Sequence, residues 1–160
     1  MKTNLATFLT SLLASGGLLL TAGPAHSETE APDAAAIKKT AEEFHQALAG
    51  GKPDQVMALL HADALIVEGG TVQTRKEYKR EHLPADIAYA AAVPGKQLNA
   101  VVQQDGDVAW VTSTFTVKGT FQSKEINDLA AETMVLTKTP AGWLIRSIHW
   151  SSQKVRKTKS

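Results

Sequence analysis

No cysteine occurs anywhere in the 160-residue chain. That absence removes disulfide scaffolds, thiol catalysis, cysteine-ligated zinc and Cys-x-x-Cys-His haem attachment in one step. An excess of one charge is also missing: 17 Lys and Arg stand against 16 Asp and Glu, a formal net charge of +1. A general nucleic-acid binder would show a basic face, so that class falls away too. Phosphate-loop, dinucleotide-binding and His-Glu-x-x-His spacings are lacking. Long apolar runs are scarce as well. The most apolar stretch is diluted by Ser11, Ser15, Gly16 and Gly17, whereas a spanning helix wants ~20 predominantly apolar residues. What is present is 43% hydrophobic and 21% charged, the composition of one globular domain.

The first 27 residues read as an export signal. Lys2 supplies the positive start, Leu5 to Leu20 the apolar stretch, and Ala25 and Ser27 the small residues of a cleavage site before Glu28. The expected location is periplasmic or secreted, with no membrane span after cleavage. Residues 28–35 read as a leader, 36–153 as the domain, and 154–160 as a solvated basic tail carrying Lys154, Arg156, Lys157 and Lys159.

Within the domain, Asp33 is placed to cap a helix that runs to about Ala49. Ile37, Ala41, Phe44 and Leu48 form its apolar stripe. Pro53 opens a second short helix, and 64–68 reads as a short strand closed by Gly69-Gly70. Thr74-x-x-Glu77 is a capping box that starts a third helix at Arg75, with Pro84 as a kink or restart within it. Strands follow at 98–104, 108–121, 129–139 and 143–152, rich in Val, Thr, Trp and Phe. Gly119, isolated in the longest of them, reads as a bulge that lets it curve. Helices followed by an antiparallel meander make an α+β layout.

The order of these elements, the segment Asp63-Ala64-Leu65-Ile66-Val67-Glu68-Gly69 and the closing strand 142–152 resemble the SnoaL-like branch of the nuclear transport factor 2-like superfamily. The resemblance implies a cone-shaped fold: three N-terminal helices packed in a strongly curved antiparallel sheet, with a pocket between helices and sheet. Many members of that superfamily pair as dimers through the outer sheet face. They include isomerases, dehydratases, cyclases and non-catalytic binding modules, so fold alone does not choose a function.

Candidate chemistry concentrates in 78–89. Tyr78, His82, Asp86 and Tyr89 share one face of a continuous helix, beside an apolar stripe of Leu83 and Ile87. Asp86 is spaced to orient His82; the plain alternative is a surface His–Asp pair worth little. On the last strand, Trp143, Ile145, Ser147, His149 and Ser151 share a face by period two. His149 is thus either a pocket residue or a core or interface histidine. The expected acid/base set is Tyr78, His82, Asp86 and His149, converging on one cavity. Glu68, Tyr89, Glu132, Trp143 and Ser151 are the expected ligand-lining residues. A carboxylate at Glu132 is costly if buried unpaired, so it needs a partner such as Arg75 or Arg146, or a wet cavity. Arg75 is also placed to reach Glu68 across the glycine turn. His45 and His61 read as structural or solvated.

Three functions fit these residues. The leading one is an exported module that binds a small, mostly apolar ligand in the pocket. The next is a cofactor-free acid/base enzyme of isomerase or dehydratase type. The third is a metal site of His82, Asp86 and His149, a set that suits zinc or copper. No cofactor is expected. A homodimer is expected from the resemblance and from the apolar surface of 108–121.

Overall fold

The structure, a computed structural model, describes residues 31–155. The export signal, the first part of the leader and the tail beyond Val155 lie outside the described residues. Ten elements follow in order: α1 (Ala34–Ala49), α2 (Pro53–Leu59), β1 (Leu60–Glu68), β2 (Thr71–Thr74), α3 (Arg75–Glu81), α4 (Leu83–Ala92), β3 (Gly95–Asp105), β4 (Val108–Phe121), β5 (Lys124–Thr139) and β6 (Gly142–Lys154). The strands form one six-stranded sheet in the order β2-β1-β6-β5-β4-β3. It is curved and unclosed, and the helices pack against it as in a cone. Among the described residues, no helix is long and apolar enough to cross a membrane.

The core forms where the helix stripes meet the inner sheet face. Ile37, Phe44 and Leu48 of α1 are buried with Val56, Ile66, Met134, Leu136, Ile145 and Ile148. The expected stripe of α1 therefore faces the sheet. Asp33 stands at the start of α1 but makes no side-chain cap. Its carboxylate instead accepts hydrogen bonds from Lys138 Nζ at 2.8 Å and Gln104 Nε2 at 3.3 Å, tying α1 to the sheet. Lys138 holds that carboxyl below the usual aspartate range.

Four helices form where three were expected. The capping box is in place: Thr74 Oγ1 accepts from the Glu77 N–H, and the Glu77 carboxylate accepts from the Thr74 N–H at 2.9 Å. Pro84 then divides the segment. Its ring crowds the preceding turn and it has no N–H to offer a continuing helix. His82 becomes the joint: its N–H bonds the Tyr78 carbonyl at 3.0 Å, while its own carbonyl accepts from Ala85 at 2.8 Å and opens α4.

Two strand features depart from the expected pattern. Opposite β5, Leu136 pairs with Ile145 and Val135 with Ser147, so Arg146 is one residue too many. This bulge reverses the alternation: Trp143 and Ile145 point inward before it, Ile148 and Trp150 after it. Gly119, in contrast, lies in unbroken register opposite Ile126. Its reason is a close approach rather than a bulge: a Cβ there would stand 2.4 Å from the Ala92 carbonyl oxygen, where α4 ends against β4.

Candidate functional site

Among the described residues, apart from the His61–Asp63 pair, two histidine–carboxylate clusters form on the helix side of the sheet. The first joins α1 to the inner sheet. Glu132, at a mid-strand inward position of β5, has a side chain only 1% exposed, and His45 on α1 is 37% exposed above it. Nε2 of His45 lies 3.1 Å from each carboxylate oxygen. The indole N–H of Trp150, the next inward residue of β6 after Ile148, donates to Oε2 at 2.7 Å. The buried carboxylate is thus satisfied from two sides, as burial of such a charge requires. The partners are His45 and Trp150, not the expected Arg75 or Arg146: Arg146 reaches Asp63 at 3.3 Å, and Arg75 donates to the Met57 carbonyl at 2.7 Å instead of bridging to Glu68. Phe44 and Phe115 frame the pair, with ring centroids 5.9 and 5.4 Å from the imidazole.

The pair also stands on the wall of a cavity. A cavity of about 370 Å³ opens between α1 and β3, lined by His45, Glu132, Ser113, Gln97, Asn99 and Glu42 among others. It offers an imidazole, a hydroxyl and two amides beside the apolar Ala41, Leu98 and Val111. This is a more polar wall than an apolar-ligand pocket would need.

The second cluster sits where β1 ends and α3 meets α4. Nε2 of His82 lies 3.5 Å from Glu68 Oε2 and 3.8 Å from Asp86 Oδ1. The phenol of Tyr78 is fully buried, stacks on the His82 ring with centroids 6.4 Å apart, and donates to Asp86 Oδ2 at 2.8 Å. Burial raises the Glu68 carboxyl above its ordinary value; the Asp86 charge adds to this and His82 opposes it. Burial raises Asp86 as well, against the lowering pull of the Tyr78 hydrogen bond and His82. The Tyr78 hydroxyl is pushed up by its burial and by the Asp86 charge, so it stays protonated as a donor.

Tyr78, His82 and Asp86 are brought together, joined by Glu68, but they line neither the cavity at His45 nor the one at Ser151, and His149 lies apart from them. The Arg146 bulge turns His149 outward, where it is exposed. A metal set that includes His149 fails for the same reason. Ser151, also outward, lines a second cavity of about 500 Å³ with Thr114, Leu129 and Ala130. Trp143 is a core side chain, buried against α1, where its carbonyl accepts from the Thr40 hydroxyl at 3.4 Å. Tyr89 packs edge-on against Phe121 with centroids 5.3 Å apart. Burial, then the charges of Asp128 and Glu68, raise its hydroxyl.

His45 is the residue that sequence reasoning passed over. Its position beside Phe44 on the edge of the α1 stripe was the available signal, together with the need of an inward Glu132 for a donor.

The SnoaL-like domain family matches residues 37–154 of the chain. A crystal structure from Shewanella frigidimarina, provisionally named a ketosteroid isomerase, is 34% identical, with a TM-score of 0.70, over 72% of this chain and 94% of that one. A provisionally named dehydratase of the nuclear transport factor 2-like family from Streptomyces avermitilis is 21% identical at a TM-score of 0.65, covering 76% and 96%. A calcium/calmodulin-dependent protein kinase II hub from S. rosetta is 23% identical at a TM-score of 0.62, covering 78% and 99%. The last two likenesses concern the fold alone. No curated protein matches the chain.

Proposed function

The chain belongs to the SnoaL-like domain family, and we propose that within it the protein is an exported acid/base catalyst acting on a small carbonyl compound held between α1 and β3. The family contains ligand-binding and isomerase- or dehydratase-type proteins. The observation that carries this reading is the His45–Glu132 pair at 3.1 Å on the wall of the cavity. When the Nε2–H of His45 donates to the buried carboxylate, Nδ1 is left as the ring nitrogen that takes a proton. The negative Glu132, fixed by Trp150, stabilises the positive charge the imidazole then acquires. The side chains of Ser113, Gln97 and Asn99 supply donors for the oxygen on which negative charge develops. A proton next to a carbonyl is acidic enough for such a base, and the 34%-identical relative bears the name of an enzyme of that kind.

The test is isomerisation of 5-androstene-3,17-dione to its conjugated enone, read by ultraviolet absorbance, alongside solvent-deuterium exchange into small ketones. The expected result is turnover or exchange that falls about 10²–10⁴-fold in His45→Ala. Equal rates in the parent and His45→Ala would sink the catalytic assignment. Binding of either probe without turnover would make the cavity that of a binding module. Export is part of the proposal, supported by the Lys2-to-Ser27 pattern. Mass spectrometry of the secreted protein should find Glu28 at its N-terminus. The homodimer is proposed as well, supported by the outward and exposed Leu65, Val101 and Leu129. Light scattering at micromolar concentration should give twice the protomer mass.

A further inference from the structure

We propose that Glu68, His82 and Asp86 form a binding site for a divalent transition-metal ion, with one imidazole nitrogen and two carboxylate oxygens as the protein's ligands. The proposal does not rest on the reading of His45, and the two clusters share no residue. The three donor atoms all lie within 4.8 Å of one another. They are not simply bonded to each other: 3.5 and 3.8 Å are too long for charge-assisted hydrogen bonds, which run to about 2.7–2.9 Å. They are arranged around a common point. Two ligand atoms each about 2.0–2.2 Å from a tetrahedral ion stand about 3.3–3.6 Å apart. The His82–Glu68 separation meets that range, and His82–Asp86 needs a few tenths of an ångström.

The mounts are independent and firm. Glu68 ends a paired strand, His82 is the joint between two helices, and Asp86 lies one turn along α4. The Tyr78 hydroxyl occupies Asp86 Oδ2 and leaves Oδ1 directed at His82. That is the role of an outer partner that fixes a ligating carboxylate. The side chains of Glu68 and His82 are 40% and 36% exposed, so an ion can enter and complete its coordination with water. An imidazole among the ligands selects zinc, iron, nickel or copper over magnesium or calcium.

The experiment is calorimetric titration of EDTA-stripped, dialysed protein with Zn²⁺, repeated with Cu²⁺ and read by electron paramagnetic resonance. One ion per chain is expected, with affinity falling at least about 10-fold in Glu68→Gln, Asp86→Asn and His82→Ala. Tyr78→Phe, which keeps the buried ring, should weaken binding about 10–100-fold through the lost outer bond. His45→Ala should bind like the parent. Glu68→Gln is close in shape to the parent and, with circular dichroism as the fold check, keeps the test decisive if His82→Ala does not fold. No binding by the parent, or binding that survives all three ligand substitutions, overturns the proposal. Binding lost in His45→Ala but kept in Glu68→Gln places the ion at the other histidine and overturns it as well.

Discussion

The two histidine clusters solve one electrostatic problem in opposite ways. At His45 a single carboxylate is buried in a sheet and two N–H groups converge on it, so the charge is satisfied within the fold. At His82 a half-exposed Glu68 and a mostly buried Asp86 share one imidazole at distances beyond a strong hydrogen bond, and both carboxyls are raised above their ordinary values. The first is finished as a structure, and the proposed chemistry falls to the ring nitrogen that Glu132 does not hold. The second is unfinished as a structure, and that is the ground on which a cation is proposed for it. The difference follows from the mounts. A sheet position has neighbours fixed on both sides, whereas a helix junction leaves one side open to water.

The largest expected effect separates the clusters by moving one mount. Gly119→Ala puts a Cβ 2.4 Å from the Ala92 carbonyl oxygen and 3.0 Å from the Val93 Cα. Both contacts are backbone, so α4 has to shift, at a cost at or above the upper end of about 1–3 kcal/mol for overpacking. Asp86 rides on α4 and His45 does not. Metal affinity should therefore fall further than activity at the His45 cavity; an equal loss in both would show that the clusters are mechanically coupled. Chemical denaturation and zinc titration of the same variant check this.

Next in size is Glu132→Ala. It strips the acceptor from Trp150 and His45 deep in the cone and should cost about 1–3 kcal/mol in equilibrium unfolding. Glu68→Ala, at a half-exposed strand end, should stay within about 0.5 kcal/mol. If the two costs come out alike, the contrast between a satisfied and an unsatisfied carboxylate is wrong.

Much of this architecture was legible in the residues and some of it was not, for physical reasons. The apolar stripe of α1, the Thr74–Glu77 capping box and the long strand 108–121 are local patterns, and local patterns survive folding. The Tyr78–His82–Asp86 grouping was legible because it spans two turns of neighbouring chain, even though Pro84 divides the helix beneath it. What the chain order hides is long-range. A single surplus residue at Arg146 reverses every later inward–outward assignment on β6, sending His149 out and Trp150 in. The pairing of His45 with Glu132 joins positions 87 residues apart. No period along either element announces it; only the cost of an unpaired buried carboxylate pointed to a partner, and the sheet decided which.

The smallest effect tests how the helix that carries His45 is held in place at its other end. Asp33, at the start of the helix that carries His45, is held by Lys138 and Gln104 at the far end of that helix from the cavity floor. Its carboxyl is lowered in the folded protein, mainly by the Lys138 hydrogen bond. A lowered carboxyl binds its proton less readily folded than unfolded. Its contribution is therefore complete above the ordinary aspartate value of 3.8 and disappears as the pH falls through the lower folded value. Asp33→Asn should melt below the parent at pH 7, and the gap should close as the pH falls below 3.8 through the lowered folded value. Lys138 is exposed and Asp33 partly so, so salt should shrink the gap as acid does. The same substitution should leave zinc affinity at His82 unchanged, because α3, α4 and β1 mount that cluster. A gap that persists at low pH and high salt would mean that Asp33 acts by packing rather than by charge, and that α1 is held to the sheet by its apolar stripe alone.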